Sequence, residues 1–441
     1  MLGPISLEQT HAWSRWEFCF GYTPQFPCRA GVLEIGWGKL IHGLWQGIRP
    51  AHFGGATAAA FITSQFFTTN HSHCTQNAHR YRNYRRRPLR QRPYVTRNPY
   101  TEFFQQCLTK AEYLPAIQGN SSFSLKAVYS RSQKSAAEFG TAAATDVYYD
   151  SPSSDDRSLA YLLARSDIDA VVIALPIPAQ PAIIRAALKA RKHVLSEKPI
   201  AKNTVVAGQL LTEYTPYKEQ RLIWGVAENF RSIEPIAYGV EQLKQLGGEV
   251  TAFQISVHDL IQDGNPFFAT EWRKNPEYPG GFILDGGVHF LAGLREFLSA
   301  VGDSITKVVA FSTQIEPHLP PVDTLNGALL LKSGRSGTIN LSYGTEFKND
   351  FLIEVVTSNG SVSMTPAGVT VLEKDAGGKW SEKIKAFAFS TGVAAEVEAF
   401  GRAIRAKNGN VKQSPEEALL DLRIVELLLK SGEERGVVLA V

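Results

Sequence analysis

Between Phe123 and Phe230 the chain alternates short apolar runs rich in β-branched residues with amphipathic helical ones, and few folds accommodate that rhythm. "FSLKAVYS" reads as a strand, "SQKSAAEFG" as a short helix closed by Gly140, "DVYYD" as another short strand and "SLAYLLARS" as helical. "IDAVVIALP" is then a strand stopped by Pro176, "QPAIIRAALKARK" a helix with Pro181 near its start, and "HVLSE" the next strand. Strands apolar on both faces need cover on both, so the pattern predicts a parallel sheet with helices on each side.

After "RLIWGVAENF" the period changes. A helix near residues 233–246 leads into "EVTAFQISVHDL", and beyond one central helix come "ITKVVAFSTQIE", "TLNGALLLKS", "RSGTINLSYG", "FLIEVVTSN" and "GVTVLEK", separated by Gly, Asn and Pro turns. That is the pattern of an antiparallel sheet. Two helices, "AAEVEAFGRAIRAK" and "PEEALLDLRIVELLLKS", close the chain. The expected fold class is α/β: a Rossmann-like parallel sheet domain over 111–231, followed by an α+β domain with a predominantly antiparallel open sheet over 232–441.

Residues 1–110 fit neither scheme. They carry 13 Lys and Arg against four acidic residues, all four cysteines (Cys19, Cys28, Cys74, Cys107) and six of the ten histidines, so the basic excess of the chain is confined to them. "HRYRNYRRRPLRQRPYVTRNPY" has no periodicity with which to bury a face, and the expectation is a basic extension that is disordered or mis-joined to the body. The cysteine-free body owes nothing to disulfides. No run of 18 apolar residues and no compact leader pattern is present, so no membrane partner and a cytoplasmic location are expected. "HSHCTQNAH" matches no standard zinc spacing, and no metal is expected. The arginine run comes without a reader fold, which argues against nucleic acid.

Two segments carry chemistry. "HVLSEKPIAKN" ends a strand in Glu197, Lys198 and Pro199, where an open parallel sheet binds its ligands. Proline holds Lys198 extended and makes a cis peptide affordable, which fixes the angle of the side chain. Burial beside a cationic ring would lower the pKa of such a lysine toward neutrality; a solvated surface turn is the plain alternative. "PGGFILDGGVHFLAGLRE" places Asp285 and His289 four apart on a helix, hence on one face, with Gly280, Gly281, Gly286 and Gly287 leaving that face bare. A histidine held by a carboxylate is an acid/base pair, whereas a lone histidine on an apolar helix is commonly a core residue.

Together these segments resemble the glucose-fructose oxidoreductase, inositol dehydrogenase and rhizopine-catabolism (Gfo/Idh/MocA) family of NAD(P)-dependent oxidoreductases, in its fungal flavour. The similarity spans residues 113–441: "VVIALPIPAQPAIIRAALKARKHVLSEKPIAKN" is similar to the segment ending in the family's catalytic Glu-Lys-Pro, and "GGFILDGGVHF" to its Asp-x-x-x-His helix. The resemblance implies that Lys198, Asp285 and His289 surround the reacting carbon. It makes His289 the base, Asp285 its orienter or an acceptor for a substrate hydroxyl, and Lys198 a hydrogen-bond donor and proton relay, with exchange of the roles of Lys198 and His289 as the alternative. It implies contact of Leu175, Pro176, Glu197, Lys198, Pro199 and Asn229 with the dinucleotide, places Glu228, Asn229 and Arg231 toward the cleft, and makes Arg231, Trp272 and Arg273 candidate substrate contacts. A sugar, polyol, dihydrodiol or related carbonyl compound is the implied substrate class, and a homo-oligomer formed through the C-terminal sheet the implied assembly.

Strand two ends in "VYSRSQKS", where a carboxylate would select NAD(H) and a nearby arginine accommodates a 2′-phosphate. Ser130, Arg131, Ser132 and Lys134 are donors without a carboxylate, so NADP(H) is preferred and NAD(H) possible. The glycine turn that should precede "EYLPAIQ" is missing, with its strand. "VLEIGWGKLIHG" supplies Gly36-x-Gly38 but stands too far upstream for a compact domain. These gaps leave two alternatives beside an active enzyme: a chain impaired in cofactor binding, or a catalytically inactive nucleotide sensor of the same fold.

Overall fold

The structure, a computed structural model, describes residues 57–63, 109–151, 156–262, 265, 268 and 270–441. The first sheet runs β1 (Thr57–Thr63), β2 (Phe123–Tyr129), β3 (Asp146–Tyr148), β4 (Ala170–Ala174), β5 (His193–Glu197) and β6 (Trp224–Ala227). Its order is β3-β2-β1-β4-β5-β6, with every pairing parallel. Helices α1 (Leu114–Gln118), α2 (Gln133–Ala143), α3 (Leu159–Ala164), α4 (Gln180–Lys189) and α5 (Thr204–Glu219) make the crossovers. Side-chain oxygens of Ser132, Ser158 and Asn203 cap α2, α3 and α5, and prolines stand in the first turns of α1 and α4.

One expectation is overturned here. The first strand is not missing: "TAAAFIT", inside the stretch read as structureless, lies between β2 and β4 at the centre of the sheet. Three consecutive alanines gave it neither alternation nor strong β preference, so it carried no periodic signal. Its burial comes from its place between two strands, where Ala59, Ala60 and Phe61 are wholly enclosed. What the sequence does lack is the glycine turn after it, since no glycine occurs between Gly55 and Gly119. Gly36, Gly38, the cysteines, the histidine cluster and the arginine run lie outside the described residues.

The second sheet is built from β7 (Val250–His258), β8 (Ile305–Thr313), β9 (Thr324–Leu331), β10 (Ser336–Ser342), β11 (Asp350–Thr357), β12 (Gly360–Thr365), β13 (Gly368–Lys374), β14 (Trp380–Lys385) and β15 (Leu439–Ala440). Neighbours follow the order β14-β13-β12-β11-β7-β10-β9-β8-β15, antiparallel except for the β7/β10 pair, so the sheet is mixed. Helices α6 (Glu234–Leu246), α7 (Glu271–Lys274), α8 (Gly281–Ala300), α9 (Val393–Ala406) and α10 (Pro415–Glu433) complete the described fold. None of the described helices is long and apolar enough to cross a membrane.

Helix α8 organises the interior. Sixteen of its 20 residues are buried, which follows from an apolar sequence all the way round. It packs on α6, α10 and the inner face of the second sheet, within a core that continues into the first sheet through Ile173, Ile200 and Trp224. A separate apolar layer covers the other face of the first sheet, and α9 supplies Val393, Val397, Phe400 and Ala403 to it. The C-terminal segment therefore returns to the nucleotide sheet, a contact that strand and helix periodicity could not show.

Close approach of α6 to α8 depends on Gly239, where an added Cβ would stand 2.4 Å from the Phe297 ring. Alanine there would gain about 1 kcal/mol of helix propensity, but the buried ring has no exit and overpacking costs about 1–3 kcal/mol. Gly239→Ala is expected to lower the thermal unfolding midpoint by several degrees; an unchanged or raised midpoint would show that the helices separate without penalty.

Candidate active site

The carboxyl ends of β5 and β6 and the first half of α8 meet in one place. Glu197 ends β5, and the Lys198–Pro199 peptide that follows is cis. Lys198 Nζ donates to Asp285 Oδ1 at 2.9 Å and to the Asp285 carbonyl oxygen at 2.6 Å. From α7, Arg273 Nε donates to the other carboxylate oxygen, Oδ2, at 2.8 Å. Burial works to raise the Asp285 pKa, but the Arg273 and Lys198 cations overcome it and hold the carboxyl well below its usual range. Asp285 thus spends both oxygens on cations. The guanidinium of Arg273 in turn lies 4.1 Å from the Trp272 ring centre, within cation–π range.

One turn further along α8, His289 Nδ1 lies 2.6 Å from Glu228 Oε1, just beyond β6. Glu228 is buried, which raises its pKa, yet His289, Arg231 and Lys198 more than offset this and keep it an anion. A carboxylate can only accept, so Nδ1 carries the hydrogen and Nε2 is the basic nitrogen. The backbone N–H of Phe230 also reaches Glu228 Oε1 at 3.2 Å, and the Phe230 ring stacks on the imidazole with centroids 5.1 Å apart. Burial depresses the His289 pKa below 6.5 against the pull of Glu228, and the Lys198 ammonium lowers it further. Lys198 Nζ bonds the carbonyl oxygen of Asp285, one turn before His289 on α8, so both groups stand at the same stretch of that helix.

The expected orienter is therefore replaced. Asp285 and His289 share a face of α8, as their spacing demands, but Asp285 turns to Lys198 and Arg273, while Glu228 holds the imidazole. Sequence spacing ranks neighbours on one helix and is blind to a carboxylate arriving from β6. Arg231, the third residue of that segment, points into a buried ion network instead: its Nη2 donates to Asp421 Oδ2 at 2.6 Å, and Nε lies 3.4 Å from Glu296. Arg273 does stand beside Asp285, with the Trp272 ring against its guanidinium.

The expected cofactor contacts occupy the carboxyl edge of the first sheet. Ser130 is buried after β2, with its N–H donating to the Tyr148 carbonyl at 3.1 Å; Arg131 and Lys134 are exposed, and Ser132 caps α2 by accepting from Ser135 N. Leu175 and Pro176 are half-buried after β4. Asn229 donates to the Thr391 carbonyl at 2.8 Å, leaving its buried Oδ1 without a protein partner. Gln180, which the sequence reading did not single out, is wholly buried at the start of α4 with both side-chain heteroatoms unpartnered. Orphaned polar atoms at strand ends suit a ligand that supplies the missing bonds. The donor set fits a nicotinamide dinucleotide at both nucleoside ends; the glycine turn that would admit the pyrophosphate is the part this sequence does not carry.

On the α8 side, the Tyr343 hydroxyl is buried without a partner against Gly286, whose added Cβ would stand 2.3 Å from it. Asp259 nearby accepts from Asn349 Nδ2 at 2.9 Å, and burial pushes its carboxyl up to about 6. No group of three or more His, Cys, Asp or Glu with metal-holding geometry occurs among the described residues.

Comparison with known proteins identifies the family of the two halves of the chain. Residues 107–225 match the model described as an oxidoreductase family with a NAD-binding Rossmann fold, and residues 245–363 match the GFO/IDH/MocA C-terminal domain. Dehydrogenase FPY6 of Fusarium mangiferae is 43% identical over 326 residues, covering 73% of this chain and 93% of the relative. D-xylose 1-dehydrogenase (NADP(+)) 2 of Haloferax volcanii is 25% identical over 333 residues, 72% of this chain and 96% of the relative. Among solved structures, an oxidoreductase from Thermotoga maritima superposes with a TM-score of 0.67 at 21% identity, over 87% of this chain and 98% of the other. This chain belongs to the Gfo/Idh/MocA family of oxidoreductases with a NAD-binding Rossmann fold.

Proposed function

We propose that the protein interconverts a CH–OH group and its carbonyl, with NADP(H) preferred over NAD(H), on a sugar, polyol, dihydrodiol or related small molecule. The observation that carries this reading is the cluster itself, in which a lysine cation and a histidine base from opposite halves of the fold share one buried site. Bound beside them, the nicotinamide supplies the hydride chemistry. Ser130, Arg131, Ser132 and Lys134 would hold the adenosine end, and Leu175, Pro176, Glu197, Lys198, Pro199 and Asn229 the nicotinamide end. Lys198 donates a hydrogen bond to the reacting oxygen and steadies the charge that develops there. His289 Nε2 takes the hydroxyl proton in oxidation and returns it in reduction. Trp272 and Arg273 wall the substrate side, and the unpartnered Tyr343 hydroxyl suits a hydroxylated or carbonyl compound. Arg231 is not proposed as a substrate contact, because Asp421 and Glu296 already engage it.

The donor-only end of β2 supports NADP(H), as does the cofactor named for the D-xylose relative. A body without cysteines supports work in the cytoplasm, and the outer face of the second sheet, where Phe311 and Val438 are exposed, supports a homo-oligomer. The glycine-free stretch favours a second reading for the chain as it stands, impaired cofactor binding or nucleotide sensing without turnover. Fluorescence titration with NADPH and NADH, paired with turnover on D-xylose and related sugars, tests both readings. Arg131→Glu is expected to weaken NADPH by about tenfold or more relative to NADH. Equal affinity for both cofactors in the unaltered chain would sink the NADP(H) preference, and binding without turnover of any sugar or polyol would favour the sensor.

A further inference from the structure

Behind the Glu-Lys-Pro turn Glu197 joins a second polar cluster whose other members, Tyr113 and Glu396, the chemistry above does not use. Tyr113, in the turn before α1, is wholly buried, and its hydroxyl oxygen lies 2.7 Å from Glu197 Oε1 and 3.0 Å from Glu396 Oε1. Glu396 comes from α9, nearly 200 residues after Glu197, and is itself buried. Glu197 Oε2 accepts the backbone N–H of Lys198 at 3.1 Å. The cluster thus runs from α9 through the turn before α1 to the backbone of the lysine.

Counting hydrogens decides its charge state. A phenol has one hydrogen and can donate to one of the two carboxyl oxygens; the other contact is a repulsion between oxygens unless that carboxyl brings its own proton. Glu197 has a second donor in the Lys198 N–H and a cation one residue away. Glu396 has neither, and its Oε2 is buried with no partner. A bare carboxylate oxygen in that position would cost far more than the carbonyl oxygen of a neutral acid. The surrounding charge points the same way: the Glu228 anion disfavours ionisation of both carboxyls, and no cation among the described residues offsets this at Glu396. Burial above all, then the neighbouring glutamates, raises Glu396 well above the ordinary carboxyl range, while Glu197, lifted by burial and pulled back by Lys198 and Tyr113, is pushed up to about 7.

We infer that Glu396 is a positioning residue for Lys198: it shares one proton with Glu197 through the Tyr113 hydroxyl, so that Glu197 stays oriented to hold the lysine backbone. The inference rests on the assignment of Lys198 to the reaction, but its tests do not require turnover. Infrared spectra of the purified full chain should contain the carbonyl stretch of a protonated carboxyl at neutral pH, and Glu396→Gln should remove it. Reductive methylation read by peptide mass spectrometry reports the confinement of Lys198. Tyr113→Phe and Glu396→Ala should each raise the Lys198 rate several-fold relative to exposed lysines, while Glu396→Gln, which keeps a donor toward Tyr113, should leave it near the unaltered value. A carboxyl band indifferent to Glu396→Gln overturns the shared proton. A Lys198 rate unchanged in both Tyr113→Phe and Glu396→Ala overturns the positioning role. Should the chain bind no cofactor at all, these results keep their meaning, because that failure belongs to the oxidoreductase reading.

Discussion

Lys198→Met is expected to lower kcat by about a thousandfold or more while the chain still folds. Methionine keeps the length and the apolar stem but removes the donor and the cation, so the reacting oxygen loses the group that steadies it as charge builds. The carboxylate left behind is not abandoned, because Arg273 still holds Asp285 Oδ2. Breaking a buried pair outright costs about 3–5 kcal/mol, and retention of the second cation should keep the loss below that range. The measurement is steady-state turnover beside a thermal melt. Activity within tenfold of the unaltered protein, with an intact melt, would remove Lys198 from the reaction.

His289→Asn and Glu228→Gln form the second pair. Asparagine cannot take a proton, so kcat should fall by about 10²–10⁴, the usual worth of a placed base. Glu228→Gln leaves the histidine in place but withdraws the anion that fixes its hydrogen on Nδ1. A glutamine amide can donate to Nδ1 and turn the imidazole over, which would put the hydrogen on Nε2 where the lone pair is needed. The expected loss is about a hundredfold. The pH profile separates this from simple damage. Glu228 raises the His289 pKa, so its removal lowers that value further and moves the acid limb of kcat to lower pH. A limb that stays put, or moves upward, would show that Glu228 does not act on the base.

Much of this was legible in the chain. Lys198 announces itself because a strand, a charge and a proline coincide at a sheet edge, and the Asp285 and His289 spacing fixes their common face. Glu228 and Arg273 were named for the cleft, but their pairing with His289 and Asp285, like the Tyr113 and Glu396 contacts of Glu197, was hidden because these groups arrive from other elements and periodicity says nothing about which elements meet. β1 was hidden because an alanine-rich strand takes its burial from its neighbours. The mixed character of the second sheet was hidden too, since β7 and β10 each look like ordinary antiparallel strands until their pairing is seen.

The two hydrogen bonds that Lys198 Nζ donates to Asp285 tie the edge of one sheet to the helix that floors the other. Such a clasp limits how far the two halves can swing apart, so entry of a small molecule by wide hinge opening would first have to break it. The Lys198 ammonium and the Asp285 carboxylate are thereby preorganised before any ligand arrives.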